Sequence, residues 1–152
     1  GELRHPNLLR LYRGGRTQKP WRGRLAWWLA MEYLPGGSLR DRVADRGPLP
    51  VPTAVRLGAD LCAALAEIAG RGLVHRNVNP SCVLFAADGT AKLGDFFLLR
   101  REVMGSIAEL SEAAVPQSEY VSHPPEQLEG SREATTAADV YGLGGCLYLA
   151  LT

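Results

Sequence analysis

Short apolar runs open this chain, and longer helical stripes follow them. His5-Pro6-Asn7 has the composition of a turn, and Leu8, Leu9, Leu11 and Tyr12 after it read as a short strand. A Gly/Arg-rich loop leads to a second apolar run, Leu25 to Tyr33, rich in Trp and Leu, which predicts another strand. Pro35-Gly36-Gly37 breaks it. Ser38 can then cap a short helix running through Val43, with Asp41 in its first turns. The clearest helical pattern spans Thr53 to Arg71. There Val55, Ala59, Cys62, Leu65 and Ala69 fall on one stripe, widened by Leu57, Leu61 and Ile68. Pro52 suits the start of that helix, and Arg71-Gly72 suits its end.

Further along, Leu73-Val74 and Val83-Leu84-Phe85 are short apolar runs. Asp88-Gly89 predicts a tight hairpin turn with Lys92-Leu93 on the returning strand. A polar stretch rich in Ser and Pro runs from Arg100 to Gly130. Asp139 to Leu151 is almost wholly apolar and predicts a buried helix despite Gly142, Gly144 and Gly145. No internal repeat interrupts this order. A few strands followed mostly by helices make an α+β pattern.

Composition narrows the partners. With 46% hydrophobic and 22% charged residues the chain can bury a sizeable core. Its 17 basic and 16 acidic side chains leave a net charge of +1, no basis for expecting nucleic acid or an anionic membrane. The basic stretch from Arg10 to Arg24 holds Gly14, Gly15, Pro20 and Gly23 and reads as a solvated loop. Cys62, Cys82 and Cys146 are odd in number and lack C-x-x-C spacing. They argue against a disulfide framework or zinc site and suit a reducing, cytoplasmic setting. No run reaches the roughly 18 apolar residues of a membrane span. The chain opens on Gly1 rather than Met and reads as an excerpt, whose flanks could carry a membrane span or a second domain.

Five segments carry candidate chemistry. Leu25-Ala-Trp-Trp-Leu-Ala-Met31-Glu32-Tyr33-Leu34-Pro-Gly-Gly-Ser38-Leu39 is followed by His75-Arg76-Asn77-Val78-Asn79-Pro80-Ser81-Cys82. Then come Lys92-Leu93-Gly94-Asp95-Phe96-Phe97, Pro125-Glu126, and Ala138-Asp139-Val140-Tyr141-Gly142-Leu143-Gly144. In this order and spacing they resemble the protein kinase family over nearly the whole chain. The resemblance implies a kinase-like α+β fold, one partial kinase domain over 1–152. Residues 1–34 would form the end of the small lobe and the hinge, and residues 35–152 the first part of the large lobe.

By that resemblance Met31 matches the gatekeeper, and Glu32, Tyr33 and Leu34 the hinge whose backbone meets adenine. Leu84 would lie beneath the adenine ring. His75, Phe96, Leu11 and Asp139 match residues that stack or anchor between lobes. Arg76 matches the arginine that pairs with a phosphorylated activation segment, where Ser106, Ser111, Ser118 and Tyr120 are candidate acceptors. Ser122 sits where a Tyr often precedes the Pro-Glu, which puts peptide-substrate docking in question. Glu126 would pair with a downstream arginine. Asp95 can bind one magnesium through its carboxylate, but Phe97 replaces the glycine of that motif.

Three loop positions depart from the family. Asn77 stands where the family has its catalytic Asp, and an amide is not a useful base near neutral pH. Asn79 replaces the lysine set against the γ-phosphate. Cys82 replaces the Asn that holds a second magnesium, and a thiol is a poor ligand for that hard cation. No Gly-rich phosphate loop, nucleotide-contacting lysine strand or partner-glutamate helix is present, and Gly14-Gly15 is no substitute.

Pro80 favours the Ser/Thr type. The Pro125-Glu-Gln-Leu-Glu-Gly130 run resembles bacterial members, while His5-Pro-Asn-Leu equally resembles plant receptor-like ones. The expectation is a pseudokinase that regulates or scaffolds a protein partner, with ATP and magnesium binding left open. The alternatives are an active or weakly active Ser/Thr kinase and a non-functional remnant.

Overall fold

The computed structural model describes residues 3–16, 27–94, 124–125 and 135–152. Two strands open it, β1 (Leu11–Arg16) and β2 (Trp27–Met31), antiparallel, with Leu11 opposite Met31 and Gly15 opposite Trp28. The first strand begins later than its apolar residues suggest. Leu8 and Leu9 are buried but serve a different sheet: Leu9 N–H donates to Leu93 O at 2.9 Å, and Leu93 N–H donates to Asn7 O at 2.8 Å. Arg13 to Gly15, expected in a loop, instead extend the strand, because each finds a partner on β2.

Helix α1 (Leu39–Arg46) starts at the expected cap and runs one turn past Val43. The Ser38 hydroxyl accepts from Asp41 N–H at 3.1 Å, and the Asp41 carboxylate accepts from Ser38 N–H at 3.0 Å. This reciprocal capping box satisfies two donors that the first turn otherwise leaves unpaired. Helix α2 (Val51–Ala69) begins two residues before Thr53, with Pro52 in its first turn, where a missing N–H costs nothing.

The face that α2 buries is not the one the stripe predicts. Ala54, Leu57, Gly58, Leu61, Ala64, Leu65 and Ile68 point inward, while Val55 is 67% exposed and Cys62 is also exposed. The helix is so rich in Ala that two apolar stripes fit a 3.6 period. Packing selects the one carrying Leu57, Leu61 and Ile68, the larger hydrophobic area.

A second antiparallel pair, β3 (Val83–Phe85) and β4 (Ala91–Leu93), forms the expected hairpin around Asp88-Gly89. Asp88 Oδ1 accepts from Thr90 N–H at 2.9 Å and stiffens the turn. Leu73-Val74 makes no strand and lies half-buried between α2 and the segment that follows. Helix α3 (Thr136–Leu151) buries Ala138, Asp139, Gly142, Leu143, Cys146 and Ala150. Val140, Tyr141, Tyr148 and Leu151 on its other sides are exposed, so it is not buried all round as its composition suggested.

One core joins these elements: Leu8, Leu39, Leu57, Leu61, Ile68, Val83, Leu93, Leu143 and Cys146 all belong to it. The architecture is the expected α+β arrangement, with α2 packed on both α3 and β4. Among the described residues no helix is long and apolar enough to cross a membrane.

The corrected helix face has a direct check. Leu61→Ala is expected to cost about 2–5 kcal/mol in denaturant unfolding, whereas Val55→Ala should stay within about 0.5 kcal/mol of wild type. Equal losses would contradict this placement of α2.

Candidate functional site

The segment from His75 to Cys82 is irregular, so something other than secondary structure must hold it. That role falls to Asp139 in the first turn of α3. Its Oδ2 accepts from His75 N–H at 2.8 Å, and its Oδ1 accepts from Arg76 N–H at 2.7 Å. Burial pushes the Asp139 carboxyl above its ordinary pKa, against the pull of these two N–H groups and of His75 and Arg76 nearby. The second bond bears on backbone strain. Arg76 has φ 72°, a left-handed conformation that costs a non-glycine residue about 1–2 kcal/mol.

His75 is wholly buried, and its Nε2 lies 2.8 Å from Gly94 O, tying the loop to the segment after β4. A core role thus accounts for this histidine. Gly142 lets α3 approach from below. A Cβ there would lie 2.3 Å from Val78 O, a backbone atom that cannot step aside.

The three departing residues meet in one place. Asn79 is 1% exposed, and its Oδ1 accepts from Ser81 N–H at 2.8 Å and from Cys82 N–H at 3.2 Å. Its Nδ2 reaches Asn77, and the buried Cys82 thiol donates to Asn77 O at 3.2 Å. Neither Asn79 nor Cys82 offers a charge or a free oxygen at the loop surface.

In the segment expected to form the hinge, Met31 and Tyr33 are exposed and Leu34 is half-buried. Gly36 N–H donates to Phe85 O at 2.9 Å and Phe85 N–H to Gly37 O at 3.0 Å, which fastens the hinge to β3. Gly36 is required there, since a Cβ would lie 2.6 Å from Phe85 O. Arg42 completes the attachment: its guanidinium lies 3.7 Å from the Phe85 ring centroid and its Nε donates to Gly36 O at 3.1 Å. Leu84 bridges Ser38 and packs beside Gly94, on the hinge side of the loop.

Glu32 does more than the sequence reading assigned to its backbone. Its carboxylate accepts from Lys92 Nζ at 2.8 and 2.9 Å and from Arg10 N–H at 2.7 Å, with both ion-pair side chains 18% exposed. Burial alone would raise its pKa. The Lys92 and Arg10 hydrogen bonds, with both cations nearby, outweigh that and hold it below the ordinary value. Lys92 and Asn7, whose Nδ2 donates to Ala91 O at 2.9 Å, were missed as site residues. Lys92 signalled itself only as a polar residue between Ala91 and Leu93, and Asn7 only as part of a turn. Asp95, Phe96 and Glu126 lie outside the described residues, as do Phe97, Ser106, Ser111, Ser118, Tyr120 and Ser122.

Three outcomes follow from this geometry. Asp139→Asn keeps the shape but sets an NH2 against one of two N–H donors, and should cost about 1–3 kcal/mol in thermal or denaturant unfolding. Gly142→Ala should destabilise despite the gain of about 1 kcal/mol that helix propensity alone confers, while Gly144→Ala, with open space around its Cβ, should keep that gain. A depressed Glu32 pKa adds stability above its unfolded value of 4.5 that is lost as pH falls through the folded one. Glu32→Gln should therefore flatten the acid limb of the stability profile below about pH 4.5.

The protein kinase domain family matches the chain over residues 1–152. A serine/threonine-protein kinase PknB of Mycobacterium leprae is 33% identical over 150 residues, which is 99% of this chain and 23% of that protein. A PknB of Mycobacterium tuberculosis is 34% identical over 151 residues, again 99% and 23%. The serine/threonine-protein kinase AfsK of Streptomyces coelicolor is 38% identical over 125 residues, 82% of this chain and 15% of that protein. The chain thus spans less than a quarter of the length of these relatives. Matched from end to end by that family and anchored by Asp139 beneath the His75-Arg76 loop, the chain belongs to the protein kinase domain family.

Proposed function

We propose that this chain is a Ser/Thr-type kinase domain that acts as a regulatory or scaffolding pseudokinase on a protein partner, on the reducing, cytoplasmic side. On this reading residues 1–34 end the small lobe and hinge, and residues 35–152 begin the large lobe. The observation that carries it is Asn77 at the position of the catalytic carboxylate. Phosphoryl transfer asks a protein for positioning and charge neutralisation, and a carboxylate there directs the acceptor hydroxyl. General-base help is worth roughly 10²–10⁴ in rate, or about 3–5 kcal/mol of barrier. An amide supplies neither the negative charge nor the basicity.

The donor set at Cys82 does not fit a second magnesium. A buried thiol engaged with Asn77 O replaces the oxygen donor that a hard cation requires. Asp95 keeps a carboxylate suited to one magnesium, and the hinge keeps the backbone that would meet adenine. ATP binding without efficient transfer is therefore compatible with the residues present.

A low-activity Ser/Thr kinase is the second reading. It is favoured by the named activity of the relatives and by Asp95, His75, Arg76 and Asp139, all retained.

The full chain is expected to show no phosphotransfer above background in a radiolabel assay, with Asn77→Asp alone restoring little. Robust transfer by the wild type that Asp95→Ala abolishes would establish the second reading instead. A thermal-shift titration with ATP, with and without magnesium, separates nucleotide binding from catalysis. Absence of any cooperative melt would point to a remnant.

A further inference from the structure

Deepening that reading, we propose that Asn79 is the positioning residue of this loop. Through its contacts with Asn77 and Cys82 it closes the three departures into one mutually satisfied clasp.

The contacts are reciprocal. Asn79 Nδ2 donates to both Asn77 O and Asn77 Oδ1, each at 3.2 Å, while Asn79 Oδ1 accepts the Ser81 and Cys82 N–H groups. The Cys82 thiol donates to Asn77 O at 3.2 Å, and Asn77 Nδ2 faces Cys82 Sγ at 3.9 Å. Asn77 thus meets both other side chains, and Asn79 also holds the Cys82 backbone N–H. Among the described residues no buried side-chain nitrogen or oxygen lacks a partner.

The residue types at these positions are matched to one another. A lysine at 79 has no acceptor, so it could not receive Ser81 N–H. A carboxylate at 79 would keep that acceptor but lose the donor that holds Asn77. A carboxylate at 77 would still accept from Asn79 but could not donate toward sulfur. Reverting position 77 or 79 alone therefore leaves a neighbour unmatched. That couples the departures at these two positions in physical terms, and it makes Asn79 more than the cap of a turn.

The full chain tests this through the Asn77 side-chain amide, followed as a 15N–1H pair and assigned by its loss in Asn77→Asp. Asn79→Asp preserves the turn caps and removes the link to Asn77. Because Asn79 is 1% exposed and a carboxylate there would face Asn77 O and Oδ1, the expected result is a lowered melting temperature with a displaced, faster-exchanging Asn77 amide signal. Cys82→Ser keeps a donor to Asn77 O and an acceptor facing the amide and should leave that signal slowly exchanging, whereas Cys82→Ala should move it and speed its exchange, so the test stands even if Asn79→Asp folds poorly. The triple variant Asn77→Asp, Asn79→Lys, Cys82→Asn should melt higher than the summed losses of its single changes require.

An Asn77 signal unmoved by both Asn79→Asp and Cys82→Ala, with additive losses, would overturn the clasp. Phosphotransfer by the wild type would sink the pseudokinase reading without touching these readouts. Additive losses in an inactive protein would sink the clasp alone.

Discussion

The loop that carries this site hangs on one buried carboxylate. Residues 75 to 82 have no regular hydrogen-bond ladder of their own, so their backbone donors must find partners elsewhere. Asp139 supplies two acceptor oxygens at once from a rigid helix, and both go to consecutive N–H groups, those of His75 and Arg76. A carboxylate is the one small side chain with two acceptors and no donor, so no isosteric replacement does the same work. Gly142, one turn on, allows the helix to come close enough for those bonds to form.

From that anchor the order of the site spreads outward. The oriented His75 ring reaches Gly94, fixing the end of β4 immediately before Asp95 in sequence. Strand β4 in turn holds Asn7 and Leu9 through Leu93, and Lys92 on the same strand meets Glu32 at the hinge. A partly buried ion pair contributes less stability than its distance suggests, because desolvation offsets much of the attraction. Its value here is geometric: it fixes the position of the hinge relative to β4, with Arg10 N–H steadying the carboxylate.

On the proposed reading, the chain keeps the supports of a phosphoryl-transfer site while changing the groups that would perform the transfer. His75 and Asp139 hold backbone, a role that does not depend on catalysis. Asn77, Asn79 and Cys82 would face charge, and each is neutral. Neutral groups bury cheaply when they satisfy one another, which is how Asn79 comes to be almost wholly enclosed.

Family and element order were legible in the sequence, because turn chemistry, capping at Ser38 and the spacing of the five motifs are local. The Ser38–Asp41 box and the Asp88-Gly89 hairpin depend only on neighbours a few residues away. Which stripe of α2 faces inward was not legible: its alanines make both sides apolar, and only the presence of α3 and β4 decides between them. Nor could sequence pair Lys92 with Glu32, 60 residues apart, or place Gly142 under Val78. Those are facts of close approach between distant segments, which exist only once the chain has folded.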